Sequence, residues 1–141
     1  MKSVCLILGA GAGIGGHVAK RFAREGYHSV MCRRSNEEGL REIVTEIKAE
    51  GGSAEGRILN AVEQDTIEDM VANVEADVGP IEVALFNLGA QIGNRGLIET
   101  SNKQFELGWR LATFALFRFV RSLIPHMESR AKGVILVTSA T

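Results

Sequence analysis

The sequence predicts an α/β fold, a doubly wound parallel sheet of five strands with helices on both faces. Short, nearly continuous apolar runs alternate with stretches of helical periodicity along the whole chain. The runs carry little of the two-residue alternation of a half-solvated strand, so they suit strands buried on both faces. A glycine cluster also falls where the first run gives way to the first helical stretch, as a strand–turn–helix unit requires.

The expected strands are Ser3 to Leu8, Ser29 to Cys32, Ala54 to Leu59, Ile81 to Phe86 and Val134 to Thr138. Ile14, Val18 and Phe22 recur at helical spacing after the first, and Leu40, Val44 and Ile47 after the second. Ile67, Val71, Val74 and Val78 do so after the third. Ser35 with Glu38, Asn60 with Glu63 and Ser101 with Gln104 have capping-box spacing, and Gly26, Gly51 and Gly79-Pro80 stop the first three helices. The fourth helix, about 102–127, leaves little of its circumference polar: Phe105, Trp109, Phe114, Phe117 and Leu123 point around it. It is expected to pack on two sides, against the sheet and against a partner subunit or further chain, with Pro125 bending or ending it.

The chain has 141 residues, enough for one domain that buries roughly two thirds of its surface. Sixteen basic and 17 acidic residues leave a net charge of -1, so no bulk field draws it to nucleic acid or an anionic membrane. Cys5 and Cys32 lie in apolar runs and make neither a disulfide framework nor a metal site, which suits a reducing, cytoplasmic setting. The five apolar residues before the glycines are short of the roughly 7–15 of a secretory signal, and no stretch is expected to span a membrane.

Gly9-Ala10-Gly11-Ala12-Gly13-Ile14-Gly15-Gly16 places glycines at a helix N-terminus, where unpaired N–H groups and the positive dipole end accept a pyrophosphate. Gly11, Gly13 and Gly16 spell G-x-G-x-x-G, while Gly9, Gly13 and Gly15 spell a wider G-x-x-x-G-x-G. The wider register is favoured because Gly9 follows the strand directly. About 20 residues on, where a carboxylate would accept a ribose 2′-OH, stand Arg33 and Arg34. A guanidinium fork suits a 2′-phosphate, so NADP(H) is expected over NAD(H).

With these motifs the chain resembles, over its entire length, the N-terminal part of the short-chain dehydrogenase/reductase family, in an atypical branch. Gly9-x-x-x-Gly13-Ile14-Gly15 matches the family's T-G-x-x-x-G-I-G with Leu8 for threonine, and Phe86-Asn87-Leu88-Gly89 matches N-N-A-G with Phe86 for the first asparagine. The resemblance implies a Rossmann-type sheet in strand order 3-2-1-4-5, with Asn87 and Gly89 on the nicotinamide side. Asn60 would contact adenine, or equally cap a helix. Ser139, in Val137-Thr138-Ser139-Ala140-Thr141, matches the serine that holds the substrate carbonyl.

The family's tyrosine and the lysine four residues after it are not matched. The only tyrosine is Tyr27, with Met31 four positions later, and Ala112 stands where the long helix has an asparagine. The expectation is therefore that residues 1–141 form the front part of a longer single-domain oxidoreductase, inactive without its C-terminal catalytic segment. It would act on a small carbonyl or alcohol and assemble as a homodimer or homotetramer through the long helix. The alternative is a non-catalytic NADP(H)-binding module or sensor acting through protein partners. The loop from Ala90 to Glu99, with Gln91, Asn94 and Arg95, names no ligand, and the fifth strand would be an exposed apolar edge unless a sixth pairs with it.

Overall fold

The computed structural model describes residues 1–89 and 96–139, so Gln91, Asn94 and Arg95 lie outside the described residues. Five strands, β1 (Val4–Leu8), β2 (His28–Arg33), β3 (Ser53–Ile58), β4 (Ile81–Phe86) and β5 (Val134–Val137), form one sheet in the order β3-β2-β1-β4-β5. All four pairings are parallel. The expected class and strand order are the observed ones, and each strand boundary lies within one residue of its apolar run.

Central β1 explains the absence of alternation in its sequence. Both edges are paired, both faces are covered, and all five of its residues are at most 1% exposed. Burial of each Val, Leu or Ile side chain there stabilises the fold by about 1.5–3 kcal/mol. Val4, Leu6 and Leu8 point into one core with Val30, Phe86 and Phe119, while Cys5 and Ile7 point into the other with Met31, Leu40 and Ile47.

The second core is closed by α1 (Ile14–Arg24) and α2 (Glu37–Ala49). Ser29, fully buried on β2, donates its hydroxyl proton to the Ala19 carbonyl of α1 at 2.8 Å, which satisfies the one polar group on that strand's covered face. The first core is closed by α3 (Thr66–Asn73) and by the long helical segment after β4.

Two of the expected caps shift. Asn36, at φ 61°, rather than Ser35, opens α2, its side chain accepting from the Gly39 amide at 3.0 Å. Asn60 and Glu63 do not cap α3, which begins later, at Thr66 after Asp65 (φ 61°). Asn60 instead organises a separate turn, accepting from the Val62 amide at 3.3 Å and donating to the Glu63 carboxylate at 3.2 Å. The Ser101–Gln104 capping box forms as expected.

The long segment comprises α4 (Asn102–Trp109), a π turn over Arg110–Phe114, and α5 (Ala115–Arg130). Pro125 does not end it, because the residue occupies an exposed position and α5 continues to Arg130. Ala115, Phe119, Leu123 and Met127, four residues apart, make the buried stripe. The other side stays open: Phe105 is 68% exposed and Phe117 54%, and the Trp109 ring stacks on Phe114 at 5.2 Å. β5 is also uncovered, with Val134, Leu136 and Val137 all exposed.

Candidate functional site

In a parallel sheet every strand delivers its carboxyl end to the same edge, and here the order reverses between β1 and β4, the switch point where ligands bind. That edge gathers the residues singled out by the sequence. Gly9 follows β1, Arg33 ends β2 and Arg34 follows it, Asn60 follows β3, Asn87 and Gly89 follow β4, and Ser139 follows β5. Tyr27, which precedes β2, lies at the opposite edge, its ring edge-on to Phe22 at 5.4 Å.

The turn between β1 and α1 is tight for steric reasons. Gly9 has φ +99°, and a Cβ there would lie 2.5 Å from the Asn87 carbonyl oxygen. A Cβ on Gly15 would lie 2.6 Å from the Gly9 carbonyl oxygen and 2.8 Å from Ala10 Cα, and one on Gly16 would collide with the Gly11 carbonyl. These backbone contacts cannot give way as a side chain could, so the loop folds back flat against the first turn of α1. The Gly9 and Ala10 amides both donate to the Cys32 carbonyl at 2.9 Å, holding the loop against the end of β2.

Gly11 and Gly13 differ in kind. Space around Gly13 is open, and a Cβ on Gly11 would meet only the Arg33 guanidinium, 3.8 Å away. Their faces therefore border the cleft rather than the protein. Gly13 is the N-cap of α1, without a side-chain cap and with no acidic residue in the first turn. The unpaired amides and dipole there are free to meet an anion, and Ile14, 59% exposed, stands beside them.

Asn87 connects the strand ends. Its side-chain amide donates to the Gly9 carbonyl at 2.9 Å, and its side-chain oxygen accepts from the Thr138 hydroxyl at 2.7 Å. Ser139 is exposed next to Thr138. Two residues at this edge escaped the motif reading. Gly16 was legible only as the last glycine of the narrower register, whose packing role it fills; Thr138 carried no signal of its own.

Other chemistry is limited at this edge. Burial pushes the Cys32 thiol up to about 12, with Arg57 pulling it down and Glu55 adding to the rise, and burial alone pushes Cys5 to about 12. Neither is a thiolate at neutral pH. Among the described residues no cluster of His, Cys, Asp or Glu is placed to hold a metal ion, and no helix is long and apolar enough to cross a membrane.

A glycine turn packed on a parallel sheet at its switch point, opening onto an uncapped helix N-terminus, defines a Rossmann-type dinucleotide-binding fold. The chain belongs to the short chain dehydrogenase family, whose model matches residues 3–141. A short chain dehydrogenase of Pseudocercospora fijiensis is 32% identical over 138 residues, 96% of this chain and 44% of that protein. The crystal structure of a short-chain dehydrogenase from Rhodopseudomonas palustris superposes with a TM-score of 0.90 at 34% identity, covering 97% of this chain and 63% of that one. A metagenomic short-chain oxidoreductase in complex with NADP gives a TM-score of 0.92 at 26% identity, covering 98% and 62%. The chain thus spans about half the length of the curated relatives it matches.

Proposed function

We propose that this chain is the cofactor-binding front part of an NADP(H)-dependent oxidoreductase that moves hydride between nicotinamide and the carbon of a small carbonyl or alcohol. One observation carries the cofactor preference: the Arg33 guanidinium reaches back over the glycine turn to within 3.8 Å of a Cβ position on Gly11. A planar cation there faces the 2′-phosphate position from the end of β2, and no carboxylate stands at Arg33 or Arg34 to prefer a free ribose. The metagenomic relative solved with NADP agrees with this reading.

In this proposal Gly9, Gly11, Gly13, Ile14 and Gly15 cradle the pyrophosphate, Arg33 and Arg34 hold the 2′-phosphate, and Asn60 faces the adenine. Asn87 and Gly89 face the nicotinamide ribose, and Ser139 orients the substrate oxygen. The bound cofactor supplies or accepts the hydride. The proton needed on the carbonyl oxygen comes, in this reading, from the C-terminal half that the relatives possess. Two free, buried thiols suit a cytoplasmic setting. The open aromatic side of α4 and α5 suits a homodimer or homotetramer, which light scattering tests; a monomer would contradict it.

Replacing Arg33 and Arg34 together by alanine removes charge-assisted bonds worth about 1.5–3 kcal/mol, so NADPH should bind about 10- to 100-fold more weakly. NADH affinity should barely change. Equal loss for both cofactors would refute the preference.

A further inference from the structure

Arg118, on α5, is 5% exposed, and its bonding pattern is more than that of a helix-to-helix ion pair. Its guanidinium grips the Glu68 carboxylate of α3 with two donors, Nε at 2.9 Å and Nη2 at 2.8 Å. The remaining bonds go elsewhere: Nη1 donates to the Ala61 carbonyl at 2.6 Å and Nη2 to the Glu63 carbonyl at 3.0 Å. Both carbonyls belong to the turn after β3 that carries Asn60. A cation taken out of water costs free energy unless it is paired and hydrogen-bonded; all three Arg118 nitrogens donate, and two of the four bonds are to main-chain atoms.

The turn is fastened on its other sides as well. The Thr66 hydroxyl lies 2.9 Å from both the Asn60 and the Glu63 carbonyl oxygens, its one proton shared between them, and the Leu59 amide donates to the Arg33 carbonyl at 2.8 Å. Ala61 itself is buried in the core beneath the sheet edge. The segment that follows β3 is therefore held next to Arg33 and pulled from behind by a residue 57 positions later in the chain.

We propose that Arg118 is a positioning residue for the adenine-side wall of the cofactor cleft, fixing the turn 60–63 to α5; this rests on the cofactor reading above. It touches no ligand. Without it the turn loses its two rear bonds: the buried Ala61 carbonyl loses its side-chain partner, the Glu63 carbonyl keeps only Thr66, the Glu68 carboxylate keeps only Arg121 at 3.8 Å, and Asn60 loses its fixed place. The effect falls on the half of the cofactor that lies over β2 and β3, not on the half over β4 and β5.

The test uses the full-length protein and two half-ligands, 2′,5′-ADP and reduced nicotinamide mononucleotide, titrated against wild type, Arg118→Met and Arg118→Lys. Arg118→Met should weaken 2′,5′-ADP about tenfold or more and leave the mononucleotide within about twofold, with Arg118→Lys recovering part of the loss. Equal weakening of both ligands, or unchanged 2′,5′-ADP affinity in a folded Arg118→Met, overturns the proposal. If Arg118→Met does not fold, amide hydrogen exchange at residues 61–63 decides. Exchange should accelerate in Arg118→Lys and stay near wild type in Glu68→Gln, which keeps both rear bonds; the reverse order overturns it. A wild type that binds neither half-ligand overturns the cofactor reading itself, whereas one that binds both while Arg118→Met matches it overturns only the role of Arg118.

Discussion

Gly11, in the turn after β1, and Gly15, in the first turn of α1, sit four residues apart, yet the structure separates the effects of replacing each by alanine. A methyl on Gly15 would press on two backbone atoms, at 2.6 and 2.8 Å, and on the Asn87 side chain at 3.3 Å. Overpacking against immovable atoms costs about 2–3 kcal/mol, and the better helix propensity of alanine returns about 1 kcal/mol. The net loss is about 1–2 kcal/mol, a fall in Tm of about 3–6 °C. At Gly11 the nearest atoms are those of Arg33, at 3.8 Å and beyond, so the fold should tolerate alanine with a change of at most about 0.5 kcal/mol. Its cost should appear only with ligand. At a hundredfold excess over Kd, NADPH raises wild-type stability by about 2.7 kcal/mol, and a site ten times weaker gains only about half of that. Thermal unfolding followed by circular dichroism, with and without NADPH, reads both quantities. An unliganded Tm that drops equally in the two variants would refute the division of this loop into a packed side and a ligand side. So would a full NADPH shift in Gly11→Ala.

The Glu68 carboxyl is held below the usual carboxylate range by its hydrogen bonds from Arg118, against a smaller opposing effect of burial. A depressed carboxylate stabilises the fold above its unfolded value of about 4.3 and loses that contribution as pH falls through the lower folded value. The gap in urea midpoint between wild type and Glu68→Gln should therefore be widest near pH 7 and shrink below about pH 4; a gap that is constant with pH would contradict the assignment. Cys5 and Cys32, with thiols near 12, should resist iodoacetamide at pH 8 in the native protein and react fully in urea, read by intact mass. Rapid native labelling of either would show that the core opens more readily than its packing implies.

The sheet was readable because its strands are buried on both faces, which writes unbroken apolar runs such as Val4 to Leu8 and Ile81 to Phe86 into the chain. The glycine turn was readable for a related reason, since at Gly9, Gly15 and Gly16 the nearby backbone leaves no room for a Cβ. The cap of α2 was not: Ser35 and Asn36 are adjacent, both good caps, and only the left-handed backbone at Asn36 decides between them. Asn60 carried two meanings at one spacing, and the structure shows a third, a turn of its own before α3. Arg118 carried no sequence signal because its partners, Glu68, Ala61 and Glu63, lie 50 or more positions away. Local pattern cannot encode a contact of that span.

The bonds from the Gly9 carbonyl through Asn87 to Thr138 run perpendicular to three strands and cross two of their gaps. They act as a tie bar across the ends of β1, β4 and β5, added to the main-chain bonds from the Asn87 amide to the Leu8 carbonyl and from the Thr138 amide to the Phe86 carbonyl. Asn87 thereby serves as a ruler: a shorter or rotated residue at that position alters the distance between the glycine turn and the segment that bears Ser139. On the roles proposed above, cofactor affinity and substrate alignment would then change together through a single substitution.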